Sequence, residues 1–505
     1  MHVTTLQADI TTVPADLIIV NLFEGVTQPG GATGAVDKAL GGRLTALIAL
    51  GDCSGRLGAT TLVHTFGALP APRVLVVGLG NRQRFDLQAV RVAAAKAIAA
   101  ARQAGARRVA TIVHGAGIGG LDPQAAAQAV VEASLLENYT MPRASSRPVS
   151  EPQPTELTVV EFGAGRLPAV TAGVRLGQII AESVILARDL IATPANIATP
   201  TYLAESAHQM AAAVGLRCTV LERDDVAALG MGIFLAVAKG SDEPPKFVIL
   251  EHNAHRAEEL PTIVLAGKGI TFDTGGYSLK VNAAGETMWR MKYDMTGAAD
   301  VFAVLRAAAL LDLPLHVVGL APLCENMISG RAQRPGDVYR GLTGKTVEII
   351  STDAEGRLIL ADALAYAGRY RPQAVIDLAT LTGAIGVALG PKAAGLFCND
   401  DRLRERLLAA AAMTGERLWP MPMYDDYAED IRSDVADVKN ATLPVKSAGV
   451  STSAKFLEHF TEGYPWAHID LANMAWADPG RPLYPKGATA FGVRLLVQFL
   501  RDWQP

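Results

Sequence analysis

Short β-branched runs alternate with alanine-rich stretches of helical period along much of this chain, and that alternation directs it to a layered α/β fold with a largely parallel sheet. In the first third, segments 17–22 and 74–77 read as buried strands, 88–104 as a helix and 109–114 as the next strand. Segment 141–155 holds four prolines and three serines with little apolar content, so it reads as an exposed loop. A strand at 157–162 and a helical stretch near 171–190 follow. The chain is too long for one ordinary core, and the boundary between two α/β domains is placed near residue 168. Further on, strands are expected at 262–266, 316–320, 346–351 and 374–379, and helices at 297–311, 358–368 and 491–501. Three of those strands end beside polar motifs, where open α/β sheets bind ligands.

Composition narrows the function classes. Half of the 505 residues are hydrophobic and only 19% are charged, which fits a compact chain rather than a disordered one. The net charge is -4 and the basic residues are scattered, so no run marks a nucleic-acid or membrane patch. Cys53, Cys218, Cys324 and Cys398 form no close pair, as expected of free thiols in a reducing compartment. The N-terminus lacks a basic region followed by an apolar core, and apolar runs such as 74–79 fall well short of the ~20 residues of a membrane span. A soluble cytoplasmic protein is expected.

Three segments carry chemistry. The first, Gly267-Lys268-Gly269-Ile270-Thr271-Phe272-Asp273-Thr274-Gly275-Gly276-Tyr277-Ser278-Leu279-Lys280, hangs Lys268, Asp273 and Lys280 on a glycine-rich loop after an apolar strand. The second, Met291-Lys292-Tyr293-Asp294, puts Asp294 just before a helix. The third, Ser351-Thr352-Asp353-Ala354-Glu355-Gly356-Arg357, places Asp353, Glu355 and Arg357 on one face if it is extended. Four carboxylates cannot sit together ionised unless cations neutralise them. Two divalent ions roughly 3.5–4 Å apart, sharing carboxylates and clamping a hydroxide, would do so. Lysine must lose its proton to join as a ligand, and burial beside cations favours that loss.

Each residue also has a plainer reading. Asp294 alone could cap the helix that follows. Gly78-Leu79-Gly80 hints at dinucleotide binding, but Gln83 stands at the third glycine position, and the glycine spacing of Gly115–Gly120 is a weak signal on its own. His252 and His255 lack an HExxH context and read as surface histidines. Cys324 reads as a buried structural thiol.

Together the three segments resemble the leucyl aminopeptidases, also called cytosol aminopeptidases. The resemblance extends through Ala187-Arg188-Asp189-Leu190, Glu325-Asn326-Met327, Arg334-Pro335-Gly336-Asp337, the DAEGRLILADAL run from Asp353, and segments 379–383 and 487–494. More weakly, Gly30-Gly31-Ala32-Thr33-Gly34-Ala35-Val36-Asp37 resembles the macro-like N-terminal domain of these enzymes. The resemblance implies a macro-like α/β domain over 1–168 and a catalytic α/β domain with a central mixed sheet over 169–505. It implies a tighter metal on Lys268, Asp273, Asp294 and Glu355, and a more exchangeable one on Asp273, Asp353 and Glu355. Either Mn²⁺ or Zn²⁺ suits that set. It further implies that Lys280 polarises the scissile carbonyl and that Arg357 holds a bicarbonate acting as general base. Met291, Thr380, Gly383 and Ala472 would line the first side-chain pocket, and the backbone at Leu381 would orient the peptide. The products would be N-terminal residues, leucine-like by preference, released within a homohexamer.

Three departures stand out. About three extra residues fall within 281–290, Ser351 stands where the family usually has Asn, and Ala192 where Asn is common. Two other functions fit the sequence less well. DNA binding, known for some members of the family, needs a basic groove that the scattered charges do not supply. A dimetal phosphoesterase is disfavoured by the lysine ligand and the DAEGR run.

Overall fold

The computed structural model describes every residue except 144, 147–151, 282–287, 443–447 and 505. The unassigned positions include much of the proline-rich loop at 141–155 and most of the extra residues within 281–290, so those two expectations lie largely outside the described residues. The chain divides into two compact units, Met1–Ile185 with Asp478–Gly487, and Leu186–Ala477 with Ala488–Pro505.

In the first unit the elements run β1 (His2–Gln7), β2 (Leu17–Leu22), α1 (Gly31–Ala39), α2 (Arg43–Leu50), β3 (Thr60–His64), β4 (Arg73–Gly78), α3 (Leu87–Gln103), β5 (Arg108–Ile112), α4 (Pro123–Glu137) and β6 (Glu156–Glu161). A 26-residue helix, α5 (Leu167–Ala192), crosses the boundary in sequence. The strand order is β1-β6-β5-β2-β4-β3, parallel except for β3 at the edge. Residues Leu17 to Val20 of β2 are all buried, the continuous apolar pattern of a parallel strand covered on both faces. By length and composition α5 could cross a membrane, but half of its apolar window is buried inside the protein, as in a core helix.

The second unit continues with α6 (Pro200–Val214), β7 (Arg217–Leu221), α7 (Arg223–Ala228), α8 (Gly232–Ala238), β8 (Lys246–His252), β9 (Thr262–Gly267), β10 (Gly269–Asp273), α9 (Thr296–Leu310) and β11 (His316–Asn326). Then come β12 (Val338–Arg340), β13 (Thr346–Glu348), α10 (Glu355–Ala367), β14 (Ala374–Ala379), α11 (Gly383–Leu389), β15 (Ala394–Cys398), α12 (Asp401–Thr414), β16 (Leu418–Pro420), α13 (Asp426–Glu429), β17 (Val438–Lys439), α14 (Gly449–Glu458), β18 (Trp466–Asp470) and α15 (Val493–Arg501). Its large sheet is mixed, in the order β16-β15-β18-β14-β9-β11-β8-β7 with β10 paired to β11. The central strands β18, β14, β9 and β11 are parallel, and β9 is buried throughout. Helix α10 packs its buried Leu358, Ile359, Leu360 and Leu364 into the same core.

Three local expectations are corrected. The segment from Asp353 to Arg357 is not extended: α10 begins at Glu355, three residues before the expected start. Strand β13 stops at Glu348, not at 351, because a side chain takes over its backbone partners. The Asn440 amide oxygen accepts from Ile350 N (2.8 Å) and Ser351 N (3.2 Å), and its nitrogen donates to Ser351 O (2.7 Å). His252 is buried rather than at the surface, with Nε2 2.9 Å from the Leu313 carbonyl.

Candidate metal centre

The parallel strands β9, β14 and β18 end on one side of the sheet, and the chemistry collects there. At the end of β9 the backbone breaks for one residue before β10 resumes. That residue is Lys268. Its N–H donates to Leu378 O of β14 (3.0 Å) and its carbonyl accepts from Ala298 N of α9 (2.9 Å). Its side chain is thereby turned into the interior. Nζ lies 2.8 Å from Asp294 Oδ2, 2.8 Å from Glu355 Oε1 and 2.9 Å from the Thr380 carbonyl. Gly356, in the first turn of α10, must lack a side chain, since a Cβ there would lie 2.6 Å from Lys268 Cε.

Asp273 closes β10. Its Oδ1 accepts from Gly275 N and from Asn326 Nδ2, each at 2.8 Å. The turn that follows puts Gly275 and Gly276 at φ +86 and +62, in the left-handed region that favours glycine. The turn returns Lys280 to the cluster, 2.8 Å from Asp273 Oδ2 and 2.5 Å from Asp353 Oδ1. Asp294 does not cap α9, whose N-cap is Met295. Instead Asp294 points inward, and its Oδ1 accepts from Thr380 Oγ1 at 2.6 Å. Ligand atoms of Asp273, Asp294 and Glu355 lie within 4.8 Å of one another.

Thus Lys268, Asp273, Asp294 and Glu355 converge as buried groups, and Lys280 and Asp353 meet them from the more open side. Arg357 is buried nearby, with Nη1 donating to Asn440 O at 2.6 Å and no partner for Nε among the described residues.

Electrostatics show a site short of positive charge. Burial opposes the charge of Lys268 and Lys280, but the surrounding carboxylates outweigh it and hold both ammonium groups above the ordinary lysine value. The same two lysines hold Glu355 down to about 2 against its burial. Burial and the charge of Glu355 push Asp353 up to about 6, and they raise Asp273 as well. Burial and the charges of Asp273 and Glu355 raise Asp294 well above the carboxylate range. Burial pulls Arg357 down to about 10. Four carboxylates against two ammonium groups leave the acids competing for protons. Glu355 Oε2 is buried with no partner among the described residues. Four clustered carboxylates, one with an orphaned oxygen, fit divalent cations, which supply the missing charge.

The residues expected to touch substrate lie close by. Met291 is half-buried in the 3-10 turn Met288–Tyr293, and its carbonyl accepts from Asp294 N at 3.2 Å. Thr380 and Leu381 follow β14, Gly383 opens α11, and Ala472 follows β18. A buried acid unforeseen in the sequence, Asp470, ties Leu381 to Ala472. Its Oδ1 faces Leu381 N (3.2 Å), Ala472 N (3.3 Å) and Thr382 N (3.4 Å), and its Oδ2 accepts from Thr382 Oγ1 (2.6 Å). Asn440 was also missed, and its sequence context carries no signal. Asn326 sits in a segment noted above, but its contact with Asp273 was not foreseen. Ser351 keeps one local bond, its Oγ accepting from Asp353 N at 3.3 Å.

Comparison with known proteins agrees with this geometry. Residues 185–497 match the catalytic domain of the cytosol aminopeptidase family, and residues 19–148 match its N-terminal domain. A probable cytosol aminopeptidase of Geobacter sulfurreducens is 44% identical over 507 residues, covering 99% of each chain. One from Roseiflexus castenholzii is 44% identical, covering 100% of this chain and 99% of its own. Among solved structures, a mutant of tomato leucine aminopeptidase superposes with a TM-score of 0.87 at 32% identity, covering 100% of this chain and 97% of that one. The bottromycin maturation enzyme BotP in complex with Mn gives 0.84 at 35% identity, covering 96% and 99%. A chain that carries both domains of one family along nearly its whole length, with a buried acid cluster where the central strands end, belongs to that family: this is a cytosol aminopeptidase family protein, a metal-dependent peptidase.

Proposed function

We propose that the protein removes N-terminal residues from peptides, with a leucine-like preference, using two divalent cations held by Lys268, Asp273, Asp294, Asp353 and Glu355. The convergence of Asp294 and Glu355 on the Lys268 amine, with Asp273 clustered beside them and Glu355 Oε2 without a partner among the described residues, carries this reading. When bound, such a pair neutralises the acids and makes a shared water acidic enough to act as nucleophile near neutral pH. Mn²⁺ or Zn²⁺ fits the set.

The chain's own groups do the rest. Lys280 is the partly exposed cation of the cluster, so it is the group able to reach a scissile carbonyl and meet its developing negative charge. Arg357, whose Nε has no partner among the described residues, is suited to hold bicarbonate as the general base. A free α-amino group would bind one of the cations directly, which would restrict cleavage to the first bond. Thr380 uses its hydroxyl on Asp294, leaving a methyl to join Met291, Gly383 and Ala472 around an apolar first side chain. The backbone at Leu381, held by Asp470, would align the peptide. A cytoplasmic location, in keeping with the relatives' name, and a homohexamer complete the proposal.

Hydrolysis of leucine p-nitroanilide by the Mn²⁺- or Zn²⁺-loaded protein tests the reading. We expect turnover with two metal ions per chain by elemental analysis, and a mass near six times 53.1 kDa by light scattering. Failure to cleave any aminoacyl substrate with any divalent metal would refute it.

A further inference from the structure

In the second unit a cavity of about 880 Å³ opens at the sheet edge that carries the acid cluster, on the flank away from β14. β11 is parallel to β9 and ends beside Asp273, where Asn326 meets it. β8 runs antiparallel to β11 and starts with Lys246 opposite Leu323. β7 runs antiparallel to β8 and finishes with Leu221 opposite Phe247. The loops after β7, before β8 and after β11 therefore gather at one edge, and with β12 they wall the cavity. Two hydrogen bonds tether this wall to the cluster. Tyr277, between Asp273 and Lys280, donates from its hydroxyl to the carbonyl of Ser329, next to Gly330 of the wall, at 2.9 Å. Asp337 O accepts from Ile349 N at 2.8 Å. Ile349 lies four residues before Asp353, a reach of at most about 14 Å.

The wall carries a surplus of cations. Arg223, Lys239, Arg331 and Arg334 line the same space as Asp242 and Asp337. Both acids are taken. Asp242 pairs with Arg331, and Asp337 accepts from Arg334 N (3.0 Å), Arg334 Nη2 (3.1 Å) and the Tyr339 hydroxyl (3.0 Å). Neighbouring acids are taken too: Glu222 pairs with Lys246 (2.5 Å), and Glu325 accepts from Ser241 Oγ (2.5 Å). Lys239 Nζ lies 3.3 Å from the Tyr339 hydroxyl and 5.3 Å from the centre of its ring. Neither Lys239 nor Arg223 has a carboxylate partner among the described residues. Two cations are thus left over in a cavity with room for an anion and the chain that bears it.

A peptide whose α-amino group is held at the cluster has one obligatory anion, its terminal carboxylate. In an extended tetrapeptide the two ends stand about 13 Å apart, which matches the gap from Asp353 to the cavity wall. We infer that this cavity holds the terminal carboxylate of peptides about four residues long, with Arg223 and Lys239 donating to it, so that short peptides with a free C-terminus are the preferred substrates. The inference rests on the aminopeptidase reading above for which end of the peptide meets the cluster.

The test is calorimetric titration of the full-length, Mn²⁺-loaded protein with Leu-Ala-Ala-Ala in which a CH2–NH group replaces the first peptide bond, so that binding is measured without cleavage. The C-terminal amide of the same compound is the control. The acid should bind about tenfold or more tighter than the amide. Arg223→Gln and Lys239→Gln should each remove part of that difference and together erase it. Neither side chain is buried, so amide affinity and thermal midpoint should stay as in the parent. The corresponding dipeptides, too short to reach the cavity, should show no such difference between acid and amide. The inference fails if the tetrapeptide acid and amide bind alike or not at all, if the double variant keeps the difference, or if the dipeptides show it as strongly. Leucine p-nitroanilide has no carboxylate, so its hydrolysis reports on the peptidase reading alone. Absence of turnover with the tetrapeptide difference intact would refute that reading and leave the carboxylate site standing.

Discussion

Lys268 reaches its acidic partners only because Gly356 has no side chain. In a Gly356→Ala variant the new methyl would press on the tip of a flexible side chain rather than on backbone, so the lysine moves and the fold stays. Displacing a ligand by about 1 Å costs on the order of a hundredfold in rate. We expect kcat to fall by about that factor with a nearly unchanged unfolding midpoint, as steady-state kinetics and denaturant melts would reveal. His114 makes a residue-scale prediction about stability. It is buried, its Nδ1 lies 3.2 Å from the Asn21 amide nitrogen, and burial holds its pKa at about 4. The neutral ring accepts from Asn21, whereas a protonated ring would set two donors face to face. The folded value lies below the ordinary 6.5, so stability is complete above pH 6.5 and is lost as pH falls towards 4. The loss amounts to roughly 3 kcal/mol. Urea unfolding between pH 7 and pH 4.5 should show that slope, and His114→Gln should flatten it.

Substrate contacts depend on how elements end. The turns after β14 and β18 have no regular structure to fix them, and Asp470 supplies the missing order through four hydrogen-bond acceptances. Replacing it by Asn leaves amide hydrogens facing an amide, a loss of about 1.5–3 kcal/mol per charged bond removed. Asp470→Asn should therefore raise KM about tenfold or more and blur the preference for Leu over Ala, with a smaller effect on kcat. An equal fall in kcat for all substrates would contradict this. Sequence legibility followed the same division. Strands such as β2 and β14, and the length of α3, are written in local period and composition. The acids and lysines were legible because their charge contradicts the apolar strands beside them. Asp470 and Asn440 were not, because their task is to satisfy the backbone of distant loops, which no local pattern records. The start of α10 was missed for a related reason: Asn440 holds 350–351 in an extended-looking path, and the helix begins where that support ends.

At the scale of the molecule, like charges buried together make the second unit's stability depend on what neutralises them. A cation that binds the folded cluster and not the unfolded chain adds about 2.7 kcal/mol per site at a hundredfold excess over its Kd. Chelation should lower the thermal midpoint and abolish turnover, and Mn²⁺ should restore both; Glu355→Gln should lose the metal-dependent part of the shift. The break between β9 and β10 bears on any attempt to alter metal preference. The residue there stitches a sheet to a helix through its main chain while its amine serves the cluster, so a side-chain exchange keeps the stitch but strands the buried Asp294 and Glu355 without their ammonium partner. Asp353, at 35% side-chain exposure and outside that seam, offers the engineer a position where the coordination sphere can be retuned with the architecture left alone.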